Sequence, residues 1–329
     1  MKGALWLPLF MRWNSMKAAE TYCLQLLRSR AYELYFAVLF APPAKRGALA
    51  ALYAFHLEIL HIGEQVQEPL LGEMRLQWWR DSLIEALKKD TQHIAEKEQN
   101  SVKTLPVMAP QNPVIAAVTA AINRYNLPPA DFLCLCEAAR FDLYHDIMPS
   151  RAALETYCTA LYGTVLQLAC RILQGETGDL ADKTCRHGGI AQGLAALIRH
   201  LPRTQRQGKI YIPADILASV GADEQSLRNS VVRQDPAENP TKRHKIIIEK
   251  RKIAIAAIFA WFHEHYKAFI PAQKLLPAGF RPAFLPLAVL PASIKQAEKQ
   301  QEAVFTTPII ISPLCKQAKI SRAAFFNRF

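Results

Sequence analysis

Segment after segment of this chain places apolar residues three and four positions apart, and no series of segments alternates them as strands do. In "GEMRLQWWRDSLIEALKKD", Leu76, Trp79, Leu83 and Leu87 form one stripe, with Arg75, Asp81, Glu85 and Lys88 elsewhere. That is the period of a helix burying one face. Trp78 lies off the stripe and is expected to pack against a neighbour. The same period predicts helices over 18–31, leading into 32–40, and over 45–66, 114–125, 129–140, 152–173, 184–200 and 246–269, with a short one after Ile212. Polar, Pro-punctuated stretches over 89–112 and 231–245 read as loops. Residues 271–291 are Pro-broken but apolar, and 296–301 are polar. Half of the 329 residues are apolar and only 13 are Gly, so one all-α domain with a sizeable core is the simplest architecture. Residues 1–17 read as an N-terminal extension, either a targeting segment or sequence upstream of a start at Met16. Residues 18–300 form the main domain, and 301–329 a basic tail.

Charge narrows the partners. The net charge is +12, which suits nucleic acid, an anionic membrane surface or a phosphate-bearing ligand. No nucleic-acid motif is present, and Lys and Arg do not alternate with aromatics, which ranks nucleic acid last. The seven cysteines are odd in number and lack a C-x-x-C; Cys134 and Cys136 fall on different helix faces. That is a pattern of reduced, buried thiols rather than a disulfide framework or zinc site. No apolar run reaches the ~18 residues a spanning helix needs. Within "GIAQGLAALIRHLPRTQRQGKIYIP", Arg199, His200, Arg203, Arg206 and Lys209 gather without a single acid. The run "TKRHKIIIEKRK" and the acid-free tail with Lys316, Lys319, Arg322 and Arg328 are further basic segments. They read as solvated faces, with contact to an anionic leaflet as the alternative.

Four phrases, "LFAPPAKRGALAALYAFHLEI", "RLQWWRDSL", "LETYCTALYGTVLQL" and "GIAQGLAALIRHLPRTQRQGKIYIPADIL", stand in the order and spacing of the squalene/phytoene synthase family. The resemblance spans roughly residues 25–290. The closing Gly208-Lys209-x-Tyr211-x-Pro213 is similar to that family's Gly-Arg-x-Tyr-x-Pro. The resemblance implies an isoprenoid-synthase-like helical bundle around a central cavity. Its enzymes join two prenyl diphosphates, using Mg²⁺ held by two Asp-x-x-x-Asp motifs to neutralise the leaving group. The i, i+4 spacing puts both carboxylates of a motif on one helical face.

At the matched positions this chain departs from that pattern. The first motif falls on Leu60 and Glu64, the second on His200 and Thr204. Gly193 and Ala196 stand for the family's Gln and Asn, and Ala160 for a Tyr, while Tyr157, Cys158 and Gly163 match. Three of four metal carboxylates are gone, and the cations that remain would repel a divalent ion. A narrower likeness accounts for this. Glu68, Gly72, Arg75, Gln77, Trp78 and Trp79, with His187, Gly189, Ala191, Gln192, Gly193, Leu197, Arg199 and Pro202, resemble a branch of the family associated with assembly of respiratory complex I. It implies a non-catalytic protein without a metal cofactor. Its expected partners are respiratory-complex subunits or assembly proteins, a membrane surface, and a prenyl diphosphate or lipid anion. The ligand would be met by Arg199, Arg203, Lys209, Tyr211 and Tyr157, with Lys45 and Arg46 at another helix entrance. The compartment would be the cytoplasmic face of the inner membrane in a bacterium, or the matrix face in a mitochondrion.

The alternative is a working prenyl transferase of the squalene/phytoene synthase type with displaced Mg²⁺ ligands. Asp142 and Asp146 in "RFDLYHDIM", at helical spacing, would then serve with Glu64. His61 could pair with Glu58, three residues away, and His56 reads as a core residue. His263 and His265 are two apart and face different sides, so they form no helical zinc motif.

Overall fold

In the computed structural model, which describes residues 6–66, 68–98, 112–144, 146–209, 211–221 and 242–329, the described residues form no strand. The chain is all-α, as the periodicity predicts. It divides into two compact units. One comprises the described residues of Met1–Leu143 and Leu168–Glu176, the other those of Tyr144–Gln167 and Thr177–Phe329.

The first unit contains α1 (Trp6–Arg30), α2 (Tyr32–Val38), α3 (Pro43–Gln65), α4 (Pro69–Glu98), α5 (Pro113–Tyr125) and α6 (Pro129–Ala139). Pro at the first turn starts α3, α5 and α6, where a missing N–H costs nothing. Asn112 caps α5, its Oδ1 accepting from the Val114 N–H at 2.8 Å. The core lies where α3 meets its neighbours. Phe55 sits edge-on to Trp79 of α4 at 5.5 Å and to Phe132 of α6 at 5.6 Å. Leu76, Trp79 and Leu83 are buried as the stripe requires. Trp78 touches Trp79 edge-on at 5.3 Å and stays half exposed. Burial pushes the Cys23 and Cys136 thiols up to about 12, which keeps them inert.

The second unit contains α7 (Arg151–Cys158), α9 (Asp179–Arg206), α10 (Ala214–Ser219), α11 (Lys242–Leu275), α12 (Leu290–Gln300) and α13 (Pro313–Phe326). The helix α8 (Thr164–Gln174) contains the unit boundary at Gln167/Leu168. Between α7 and α8 one turn, Thr159–Gly163, is π-helical. The apolar, Pro-broken stretch folds over 278–289 as short helical turns, buried from Ala283 on.

Several helix ends differ from expectation. Residues 89–98 continue α4 instead of looping, because Thr-Gln-His-Ile-Ala-Glu-Lys-Glu is rich in helix formers and holds neither Gly nor Pro. The rest of that expected loop, 99–111, lies outside the described residues, as do 222–241. Pro202 does not end α9, and Pro271 does not end α11; each sits inside its helix. The tail is helical over Pro313–Phe326, a helix whose apolar residues fall largely on its outer face.

Candidate functional site

The end of α3 carries the first pair of matched positions. Leu60 is half-buried. Glu64 Oε2 lies 3.0 Å from His61 Nδ1, and His61 Nε2 lies 2.6 Å from the Gln65 amide nitrogen. His61 therefore pairs with Glu64 and not with Glu58, which is held by Arg30 at 3.1 Å. His56 is buried, as expected. Behind the helix, a Cβ on Gly63 would fall 2.7 Å from the Asp142 Cβ. Asp142 thus sits at a close crossing, on a 3₁₀ turn (Arg140–Leu143). Asp146 is exposed on non-helical chain beyond that turn. The helical register that would have joined Asp142 to Asp146 is absent, because the helix stops at Leu143. Among the described residues, no group of three or more His, Cys, Asp or Glu is placed to hold a metal ion.

Glu58 and His61, with Ile62, Gln65, Arg75, Trp78 and Trp79, line an open cleft of about 260 Å³ between α3 and α4. It was not foreseen from sequence; only the off-stripe Trp78 hinted at it.

The end of α9 carries the second pair. Arg199 is exposed, and His200 and Arg203 are half-buried. Thr204 Oγ1 donates to the Leu201 carbonyl at 3.2 Å, and Arg206 Nε to the Pro202 carbonyl at 3.2 Å. Gly208 then adopts φ 71°, a conformation that disfavours a Cβ. Its N–H donates to Gln205 O at 3.1 Å and the Lys209 N–H to Thr204 O at 2.9 Å. These two bonds are the Schellman stop, which explains the Gly of Gly-Lys-x-Tyr-x-Pro as a helix terminator. Lys209 is buried and Tyr211 half-buried; Ile210 lies outside the described residues. Cations at a helix C-terminus are stabilised by the helix dipole, so the cluster has a structural reason as well as any ligand.

Lys45 Nζ donates to the Leu173 carbonyl at the end of α8. Arg46 Nε donates to the Ala41 carbonyl at 2.9 Å. Both thus bind backbone within the first unit. Arg199, Arg203, Lys209 and Tyr211 share the end of α9 and the turn after it; Tyr157 is half-buried on α7 and Ala160 half-buried in the π turn.

The glycines of the quoted motif pack α9 against the π turn. A Cβ on Gly189 would collide with Gly163 Cα and N and lie 3.1 Å from the Tyr162 carbonyl carbon. One on Gly193, where the family has Gln, would lie 2.8 Å from the Cys158 Cβ and closer still to its sulfur. His187 joins a network that sequence separation concealed. Its Nδ1 lies 3.0 Å from His265 Nδ1, and His265 Nε2 lies 3.3 Å from Glu155 Oε1. The same oxygen accepts from Trp261 Nε1 at 3.1 Å, with Arg151 over the Trp261 ring at 4.6 Å. Burial is the main cause holding both imidazoles below the usual histidine range. His263 points elsewhere, to Glu298 at 2.7 Å.

The chain belongs to the squalene/phytoene synthase family, whose pattern covers residues 27–323. It is 26% identical to human NADH dehydrogenase (ubiquinone) complex I, assembly factor 6, over 286 residues, 87% of this chain and 76% of that protein. Its rat counterpart is 25% identical over 287 residues. Phytoene synthase of Mycobacterium tuberculosis is 24% identical over 196 residues, 60% of this chain and 58% of the enzyme. The fold is that of a dehydrosqualene synthase (TM-score 0.70, 16% identity, 96% of this chain and 99% of that one). It is also that of the squalene synthase HpnC from Alicyclobacillus acidocaldarius (TM-score 0.62, 20% identity, 86% and 95%).

Proposed function

We propose that this protein is a non-catalytic member of its family and that it acts in the assembly of respiratory complex I or a similar membrane complex. The observation that carries the reading is the donor set at the four positions matched to the metal motifs. They present an alkyl side chain (Leu60), a carboxylate in contact with an imidazole (Glu64), an imidazole (His200) and a hydroxyl bonded to its own helix (Thr204). Mg²⁺ takes hard oxygen ligands and bridges carboxylates to phosphates. This set does not fit Mg²⁺. Gly193, packed against the Cys158 side chain, offers no polar group where the family has Gln. Relatives named for complex I assembly, matched along most of the chain, support the same reading.

The anion-binding capacity of the fold is proposed to persist without turnover. Arg199, Arg203 and Lys209, with Tyr211 and Tyr157, would hold a prenyl diphosphate or an anionic lipid, while Lys45 and Arg46 serve chiefly as carbonyl clamps. Among the described residues no helix is long and apolar enough to cross a membrane, and the basic surface supports peripheral attachment. The location proposed with it is the cytoplasmic face of a bacterial inner membrane or the matrix face of a mitochondrial one, with respiratory-complex subunits or assembly proteins as partners.

Gene deletion tests the assembly role. The expected result is loss of NADH–quinone activity and of assembled complex, with C30 and C40 isoprenoids unchanged. Loss of those hydrocarbons with normal NADH–quinone activity would support the prenyl transferase instead.

A further inference from the structure

We infer that α13 and its flanks are the surface by which this protein docks on an anionic lipid bilayer, an inference that rests on the peripheral attachment proposed above. The helix is fixed by one face. Ile320 and Ala323 are fully buried. Arg281 Nη1 donates to the Ala324 carbonyl at 2.9 Å, and Phe329 packs edge-on against Phe269 at 5.8 Å. Ser312 caps the start, accepting from the Cys315 N–H at 3.3 Å. The helix is therefore presented rigidly.

What it presents outward is apolar. Ile310, Leu314, Phe325 and Phe326 are between 71 and 76% exposed. Leu314 and Phe325 are eleven residues apart, just over three helical turns, so they lie on the same side about 16 Å from each other. Ala318 and Arg322 sit between them and are also exposed. Large apolar side chains gathered on an exposed face mark an interaction site.

The charge selects the partner. From Thr306 to Phe329 there is no Asp or Glu, while Lys316, Lys319, Arg322 and Arg328 carry four positive charges. Phe and Leu set among Lys and Arg, on a helix lying along the surface, is the chemistry of an interfacial membrane helix. Cations near an anionic leaflet add electrostatic attraction that salt weakens. The other exposed apolar run, Leu70, Leu71, Met74 and Trp78 on α4, is interleaved with Glu68, Glu73 and Asp81 and lacks this charge.

The test is flotation of the full-length protein with phosphatidylcholine vesicles containing, or lacking, about a third phosphatidylglycerol. The wild type is expected to float with the anionic vesicles, and 0.5 M salt, roughly a halved screening length, to release most of it. Phe325→Ser/Phe326→Ser is expected to lower partitioning at least tenfold. Arg322→Ala/Arg328→Ala is expected to lower it roughly fivefold per cation, in anionic vesicles only. All four side chains are exposed, and unchanged circular-dichroism melting confirms that the variants are folded. Wild-type flotation that both variants retain would overturn this surface and leave peripheral attachment standing. No flotation of the wild type with either vesicle would overturn both. Ring-dependent self-association in sedimentation, without flotation, would assign the patch to a second protein chain and likewise overturn the inference.

Discussion

Gly189→Ala puts a methyl group where α9 touches the π turn backbone to backbone. The added carbon would overlap Gly163 Cα and N and sit 3.1 Å from the Tyr162 carbonyl carbon. Carbon atoms in good contact stand ~3.5–4.0 Å apart, so the two segments would have to part by roughly an ångström. Neither neighbour is a side chain that can rotate away. Within a helix, Gly→Ala on its own stabilises by about 1 kcal/mol. Overpacking a tight contact costs about 1–3 kcal/mol, and more where backbone must move. The backbone case takes the upper end, which leaves a net loss of roughly 2 kcal/mol, read as a lower urea midpoint by circular dichroism. The melting temperature should fall by roughly 4 °C or more. Gly193→Ala should cost less, because its neighbour is the Cys158 side chain, and Cys158→Ala should recover part of that loss. A Gly189→Ala protein as stable as the parent, or more stable by the helix-propensity gain, would refute the close crossing and with it the packing role of the motif.

The His187–His265 pair predicts a pH dependence. Both imidazoles are held below their ordinary pKa in the fold, mainly by burial. The unfolded chain therefore takes up protons first as pH drops below about 6.5. Stability should be constant above pH 7 and decline toward pH 5, and His265→Gln should flatten that decline in urea titrations. Gly208→Ala should cost roughly 1 kcal/mol, because an L residue is strained at φ 71°; thermal melting checks it. Glu64→Ala should change stability by less than about 1 kcal/mol, since the His61 contact is half-exposed. Arg199→Ala/Arg203→Ala should weaken binding of farnesyl diphosphate about tenfold by calorimetry, equally in magnesium and in EDTA.

The helical frame was legible because a buried face imposes its period on the sequence, as Leu76, Trp79 and Leu83 show. Boundaries were harder. Polar residues 89–98 read as a loop, though their helix propensity decided otherwise, and Pro202 and Pro271 are absorbed inside long helices. The tail helix hid because its large apolar residues face outward, which removes the usual contrast between buried and solvated sides. Two units were not anticipated: the chain passes between them three times, at Leu143/Tyr144, inside α8 at Gln167/Leu168 and at Glu176/Thr177, and no long linker marks any of these points. At the site, the motif positions were readable from the resemblance, but their physical purpose was not. His187 meets His265 and Glu155 across long stretches of chain. His61 pairs with Glu64 while Arg30, far off in sequence, takes Glu58, a partner that spacing along one helix does not reveal.

The most direct measurement incubates the purified protein with farnesyl or geranylgeranyl diphosphate and Mg²⁺, and quantifies inorganic diphosphate together with hydrocarbon products. The account predicts that substrate is recovered intact, with no C30 or C40 product and no difference on adding EDTA. Metal-dependent diphosphate release with a coupled hydrocarbon would contradict it.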